Sequence, residues 1–379
     1  MSDNPLRVLH VVGGMNRGGV ETWLMHVLRR LDRQSVAMDF LVHVNHTCAF
    51  DAEIRALGAK ILRCPYTRAP VRYARCLRRH LVESGPYDVV HSHVHHFSGW
   101  VLRAARSEHV PTRIAHSHSD TRPYQASARA LRKVYFSAMR HLLRRHASIG
   151  LSCSEEAQQA LFEPGGLGNG QLTVLKCGIP LEPYSPPVEQ RRSVRSSLGI
   201  PEEAVVVGHV GRFVHQKNHP FLLQLFRHLK HRVPEAHLLL VGGGELEGSM
   251  RDLAVQIGIE QSVTFAGVRS DVDTLMMQAM DAFVLPSHVE GLSLVVMEAQ
   301  AAGLPCVVSD RMPTEASVAP GLVQRLSLES PESAWVDALE QALQRSATID
   351  REAALSAVRR SPFNIDTSVA HLLSVYGVS

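Results

Sequence analysis

Residues 281–305 read DAFVLPSHVEGLSLVVMEAQAAGLP. Ala282, Phe283, Val284 and Leu285 form an apolar run of the length of a buried strand. Pro286 and Ser287 end it, and Gly291 leaves the next loop free of side-chain bulk. Leu294, Val295, Met297, Glu298, Ala299 and Ala302 fit a helix that closes at Gly303-Leu304-Pro305. The stretch is therefore strand, loop, helix, with Glu290 in the loop and Glu298 about a turn inside the helix. The first N–H groups of a helix lack partners and carry partial positive charge, which suits a phosphate. Carboxylates beside them would accept from hydroxyls, such as those of a ribose. Phosphate and polyol on one ligand describe a nucleotide sugar. The competing reading is a core βα unit with two solvated glutamates.

Outward from this stretch, the same alternation runs through most of the chain. With 379 residues, two domains are expected. Hydrophobic residues at 45% and charged residues at 20% allow full cores. No run of 18 apolar residues occurs, so no spanning helix is expected. The opening MSDNPLRVLHVVGG reads as a first strand, not a signal peptide. The six cysteines (48, 64, 76, 153, 177, 306) are scattered without C-x-x-C, against a disulfide framework or zinc knuckle and in keeping with a reducing cytosol. Charge is uneven. Residues 1–183 hold 24 Lys and Arg against 14 Asp and Glu, a net of +10; the remainder holds 16 against 22, a net of −6. The first half should meet something anionic.

Strands are predicted at 6–12, 37–44, 59–63, 88–93, 112–117 and 148–152, with helices between. After the first strand, Gly13-Gly14-Met15-Asn16-Arg17-Gly18-Gly19 makes a glycine-rich turn that is neither a P-loop nor a clean G-x-G-x-x-G. Gly18 and Gly19 either let main-chain amides approach a phosphate or simply make a tight turn. Residues 178–195, with four prolines, read as a linker. A second alternating set follows: strands 204–210, 237–241, 262–266 and 282–285, helices at 219–231, from about 271, at 331–345 and at 366–376. The expected fold class is α/β, with two Rossmann-like doubly wound parallel-sheet domains facing each other across a cleft and ligands at strand C-termini.

Arg212 and Lys217 bracket the loop GRFVHQKN directly after a strand. Two fixed cations there suit a diphosphate and would stabilise charge on a departing one. Together with VGGGE at 241–245, Phe265-Ala266-Gly267, Gly18-Gly19-Val20-Glu21 and PSHVEGLSLVVMEAQAAGLP, this loop resembles the retaining glycosyltransferases of family 4, which have the GT-B fold. The resemblance covers nearly the whole chain and is densest from 205 to 310. It implies that Arg212 and Lys217 bind the donor diphosphate and Glu298 the ribose. Glu290 would contact sugar hydroxyls, and the backbone of Gly291, Leu292, Ser293, Leu294 and Val295 the sugar and phosphates. Val268 and Arg269 would face the base, and the Gly18-Gly19 loop the phosphates from the other domain. A histidine at the end of an N-domain strand, His116 or His118, with His118 nearer the strand end, would contact the sugar near the reacting carbon. No side-chain nucleophile, metal or cofactor is implied; the nucleotide sugar is a co-substrate. Where members usually carry Asn-Gly, this chain has Lys176-Cys177-Gly178. The implied division is an acceptor domain over 1–183, joined by a returning helix at 363–379, and a donor domain over 184–362.

Two other patterns compete. His91, His93, His95 and His96 with His116 and His118 would suit zinc and a metal-dependent hydrolase. Asp271-Val272-Asp273 is a D-x-D, but it opens a helix, where Asp271 reads as an N-cap. The expected function is transfer of a hexose from a nucleotide-diphosphate sugar to a hydroxyl of a lipid-linked or polysaccharide precursor. The alternatives are a nucleotide-sugar epimerase or hydrolase on the same fold, or a non-catalytic binding subunit. The arginines at 68, 72, 75, 78 and 79, and the basic residues 129, 132, 133, 140, 144 and 145, recur at helical spacing. They suggest a cytoplasmic protein that touches the anionic inner membrane face through its basic N-domain, with no nucleic-acid motif.

Overall fold

The computed structural model describes residues 4–163, 165–168, 170–185 and 191–378. It divides into two compact units, Met1–Gly178 with Ile365–Ser379, and Ile179–Asn364. The boundaries thus fall at 178/179 and 364/365, against the expected 183/184 and 362/363.

The first unit is built on seven parallel strands: β1 (Leu6–Val12), β2 (Val36–Val42), β3 (Ile61–Arg63), β4 (Val89–Ser92), β5 (Thr112–Ser117), β6 (Ile149–Ser152) and β7 (Gln171–Val174). Their order is β3-β2-β1-β4-β5-β6-β7. The second unit has six parallel strands: β8 (Val205–Val210), β9 (Ala236–Val241), β10 (Val263–Phe265), β11 (Ala282–Leu285), β12 (Cys306–Ser309) and β13 (Val323–Leu326). Their order, β10-β9-β8-β11-β12-β13, repeats the first six places of the other sheet. Runs such as AHLLLV in β9 and AFVL in β11 are buried along their whole length, as strands covered by helices on both faces must be. The order reverses beside β1 and β4 in one sheet and beside β8 and β11 in the other. In such sheets the crevice at the strand C-termini opens at that reversal. The loops after β8 and β11 are the ones carrying Arg212, Lys217 and Glu290.

Each unit has its own core. In the first, Tyr73, Leu77, Val101, Leu102 and Phe162 pack on the sheet; in the second, Leu222, Phe226, Trp335 and Leu339 do so. The last helix, Ile365–Tyr376, belongs to the first unit. Trp23, fully buried on the helix Gly19–Arg30, donates its indole N–H to Ser368 Oγ at 3.1 Å. Ser368 in turn donates to the Lys176 carbonyl at 2.7 Å.

Strands β7, β12 and β13 and the helix Arg351–Arg360 were not expected from the sequence. The expected linker is only partly irregular. A helix spans Arg191–Ser197, and residues 186–190 of the linker lie outside the described residues. Arg195 is buried there and donates to Asp281 Oδ2 at 2.7 Å, which also accepts the Val206 N–H at 2.8 Å. Arg191 pairs with the other oxygen of Asp281. A buried guanidinium demands such a partner, so this segment is tied to the starts of β8 and β11.

Candidate functional site

In the second unit three loops at strand C-termini are knit by backbone bonds. Phe213 N–H donates to Gly243 O at 3.0 Å, Leu246 N–H to Phe213 O at 3.1 Å, and Gly242 N–H to Gly267 O at 2.8 Å. The glycines let the chains come this close: a Cβ at Gly244 would stand 2.6 Å from Phe213 O. The GRF, VGGGE and F-x-G motifs are thus one structural assembly. Val268, at its edge, is 62% exposed.

The loop after β8 is locked to the loop after β11. His288 N–H donates to Gln216 O at 2.9 Å, Gln216 Nε2 donates to Val289 O at 2.7 Å, and the rings of His215 and His288 stack at 4.9 Å. Asn218, in the left-handed region at φ 57°, turns the chain into the helix His219–Arg232. Inside this clasp Lys217 Nζ donates to Glu290 Oε1 at 2.6 Å, with side chains only 16% and 6% exposed. Lys217 and Glu290, 73 residues apart in sequence, therefore meet. Arg212, on the same loop as Lys217, is exposed.

Gly291 and Leu292 lead into the helix Leu294–Ala301, which Ser293 precedes with extended backbone and no side-chain cap. Gly303, at φ 70°, ends it where the sequence expected. Glu298 lies half-buried in its second turn. Burial, and secondly the charge of Asp273, raise the Glu298 carboxyl to about 7. The buried Tyr184 hydroxyl is pushed far up by burial and then by Glu298 and Asp273. Asp273 and Tyr184 were not singled out from sequence as neighbours of Glu298. Asp271 stands at the N-cap position, but its side chain does not cap the helix. Arg269 holds it instead, at 2.6 and 2.8 Å. The expectation of an Asp271 side-chain cap is corrected on that ground: a bidentate guanidinium outcompetes a single backbone N–H.

In the first unit Gly18 precedes the helix Gly19–Arg30 in extended conformation, and the Cβ position of Gly19 faces open space. His116 is buried within β5, and His118 is half-buried just past its end. Both join a histidine cluster with His10, His91 and His93 at the C-terminal ends of β1, β4 and β5. His10 Nδ1 meets His93 Nε2 at 2.9 Å, His93 Nδ1 meets His118 Nε2 at 2.8 Å, and His91 Nε2 meets His116 Nδ1 at 3.1 Å. Tyr376 Oη lies 2.7 Å from His91 Nδ1. Trp23 packs edge-on against His116 at 5.6 Å between ring centroids. Burial holds all five imidazoles neutral, with His10 and His118 lowered to about 3. His95 and His96 lie apart: His95 bonds Thr121 at 3.1 Å and His96 packs on Phe136. His10 replaces them. Only the sheet register, which sets His10 beside His91, brings it in.

Two doubly wound parallel sheets with basic and acidic residues at the second reversal point define the GT-B class of fold. The solved Anabaena Alr3699/HepE structure in complex with UDP and glucose superposes with a TM-score of 0.81 at 20% identity, over 98% of this chain and 99% of that one. Family models match on both units: "glycosyl transferases group 1" over residues 190–357 and "glycosyl transferase 4-like domain" over 18–178. The putative glycosyltransferase EpsF of Bacillus subtilis is 35% identical over 381 aligned positions, covering 100% of this chain and 98% of the relative. An Escherichia coli UDP-Gal:alpha-D-GlcNAc-diphosphoundecaprenol alpha-1,3-galactosyltransferase is 24% identical over 61% of this chain and 59% of its own length. The chain belongs to the group 1, family 4-like glycosyltransferases. The hydrolase built on the histidine strand falls with that membership.

Proposed function

We propose that the protein is a retaining hexosyltransferase. It takes a hexose from a nucleotide-diphosphate sugar and places it on a hydroxyl of a lipid-linked or polysaccharide precursor. The observation that carries this reading is the buried Lys217–Glu290 pair at the sheet reversal, directly after β8 and β11. Arg212 and Lys217 neutralise the diphosphate, and Glu298 accepts from the ribose hydroxyls. Glu290 and the backbone from Gly291 to Val295 hold the sugar and phosphates, Val268 lies by the base, and the Gly18-Gly19 loop and His118, rather than His116, complete the donor contacts. The bond from the anomeric carbon to the leaving phosphate oxygen breaks, and the acceptor oxygen bonds the same face. The acceptor proton passes to the leaving phosphate, without a side-chain nucleophile or a metal in the transfer step. UDP and glucose in the Anabaena structure support a nucleotide-sugar donor, and the diphosphoundecaprenol named for the Escherichia coli relative supports a lipid-linked acceptor.

Contact with an anionic membrane is part of the proposal. The helices Pro70–Glu83 and Ala130–His146 expose Arg72, Arg75, Arg79, Arg132 and Lys133 beside exposed Val71, Val82, Leu131 and Val134. Among the described residues no helix is long and apolar enough to cross a membrane. Basic charge with interleaved apolar side chains suits a surface contact.

The test is a thermal-shift panel of nucleotide sugars, followed by turnover with lipid-linked saccharide acceptors. The expected result is stabilisation by one donor class, acceptor-dependent release of nucleotide and a product of retained anomeric configuration. Arg212→Ala should lower turnover by about 100-fold, as loss of a transition-state donor does. Donor breakdown independent of acceptor, or an inverted product, would overturn the reading.

Glu298 adds a pH dependence. Its carboxyl titrates near 7 instead of 4.5, so it is largely protonated in mild acid. Only the carboxylate accepts from both ribose hydroxyls. Donor affinity should therefore rise by up to about tenfold between about pH 6 and pH 8, measured by calorimetry, and Glu298→Gln should flatten the rise. Stability runs the other way: a raised carboxyl stabilises the fold at low pH, and that contribution is lost as pH rises from 4.5 to about 7.

A further inference from the structure

The histidine cluster of the first unit has more order than packing requires. One ring nitrogen from each of His93, His116 and His118 lies within 4.8 Å of the others. His116 Nε2 is fully buried and has no hydrogen-bond partner among the described residues. A buried ring nitrogen left unsatisfied costs free energy unless something meets it. The outer nitrogens, by contrast, are all met. His93 Nε2 faces His10 Nδ1 at 2.9 Å, His116 Nδ1 faces His91 Nε2 at 3.1 Å, and His118 Nδ1 faces Cys177 Sγ at 3.9 Å.

A neutral imidazole carries one N–H and one lone pair. If each outer nitrogen donates, three lone pairs are left for a ligand: those of His93 Nδ1, His116 Nε2 and His118 Nε2. His93 Nδ1 and His118 Nε2 already stand 2.8 Å apart. Tetrahedral zinc ligation at about 2.0 Å needs neighbouring nitrogens about 3.3 Å apart, a separation small side-chain adjustments reach. Metal-bound histidines characteristically donate their other N–H to a fixed partner, which His10, His91 and Cys177 supply. His10, His91 and His93 form a second triad. It would leave the buried His116 Nε2 unmet, so the triad at the ends of β4 and β5 is the better site.

We propose that His93, His116 and His118 bind a divalent transition-metal ion of the zinc class, with His10, His91 and Cys177 holding their orientation. The fourth position is open to water or an anion. The binding claim is independent of the transferase reading. Its consequence rests on that reading: an ion occupies His118, the side chain given above to the donor sugar, so the metal acts as a brake on transfer.

The test uses the full chain, stripped with chelator and titrated without nucleotide, so that failure here leaves the donor assignment untouched. The probe is Co2+, read by its visible ligand-field bands, with Zn2+ as competitor. One Co2+ per chain with an intense tetrahedral spectrum is expected. His93→Gln, His116→Gln and His118→Gln should each weaken binding by about 100-fold, while a His215→Gln/His288→Gln control keeps it. Zinc-edge X-ray absorption on the unmodified chain should give three imidazole nitrogens at about 2.0 Å, which guards against variants that fail to fold. Fewer than two imidazoles, or binding unchanged in folded His116→Gln and His118→Gln proteins, would overturn the site.

Discussion

Lys217→Ala should abolish transfer and weaken the fold together. The ammonium of Lys217 is bonded to Glu290 at 2.6 Å in a place where neither side chain sees much water. Removing one partner of a buried pair strands the other, at a cost of about 3–5 kcal/mol. Turnover should fall by roughly 1,000-fold, as loss of a preorganised charge at a developing oxyanion does. Glu290→Gln, which keeps shape and one acceptor, should cost less of both. In the double variant Lys217→Ala/Glu290→Gln no charge is stranded. Chemical denaturation should then show stability partly recovered, with a coupling of about 1–3 kcal/mol, while activity stays lost. Additive stability losses would mean that the pair is not coupled. Recovered activity would mean that Lys217 serves Glu290 and not the diphosphate. The comparison with Arg212→Ala sharpens this, because Arg212 is exposed. Its loss should lower turnover with stability nearly unchanged, the pattern of a side chain kept for its ligand.

What the sequence made legible was periodicity and spacing. AFVL followed by a helix ending at Gly303 is local information, and β11 and the helix Leu294–Ala301 lie where it put them. The meeting of Lys217 with Glu290 was legible only through motif resemblance, since nothing local joins residues on different strands. The elements that escaped are those with weak local signals. CVVS in β12 is four residues long and follows a helix by a tight turn, and VQRL in β13 is half polar. The segment around Arg195 looked like linker because its prolines and charges hide that Arg195 is needed by Asp281, 86 residues away. The histidine cluster shows the same limit. Alternation in HSH at 91–93 and 116–118 places two rings of each pair on one face, but His10 joins through strand register and His95 and His96 leave through a change of backbone after β4. Which strands become neighbours joins residues far apart in sequence, and local periodicity, which marks a strand, does not name its partner.

Gly242→Ala should be the most damaging of the single-methyl substitutions in the VGGGE loop. Gly242 has φ 140°, outside what an L side chain tolerates, and a Cβ there would drive into the carbonyl of Gly211. Backbone cannot step aside as a side chain can. Gly242 N–H also bonds Gly267 O at 2.8 Å, so a shift that relieved the clash would break the link between the second and third loops. Strain and a lost buried bond together should cost about 3 kcal/mol or more, read from urea denaturation. Because Gly211 adjoins Arg212, donor affinity should fall as well. Gly243→Ala is the control. Its Cβ would meet two side chains and no backbone, the Val268 Cγ2 methyl at 3.0 Å and Glu247 Oε2 at an ordinary 3.8 Å, and Val268 is exposed. That change should cost less than about 1 kcal/mol. Gly244→Ala should resemble Gly242→Ala, since its Cβ would lie 2.6–2.9 Å from three backbone atoms of Phe213. The middle glycine is thus spare while its two neighbours are not. Equal tolerance at all three positions would show that the three loops are not held against one another as described.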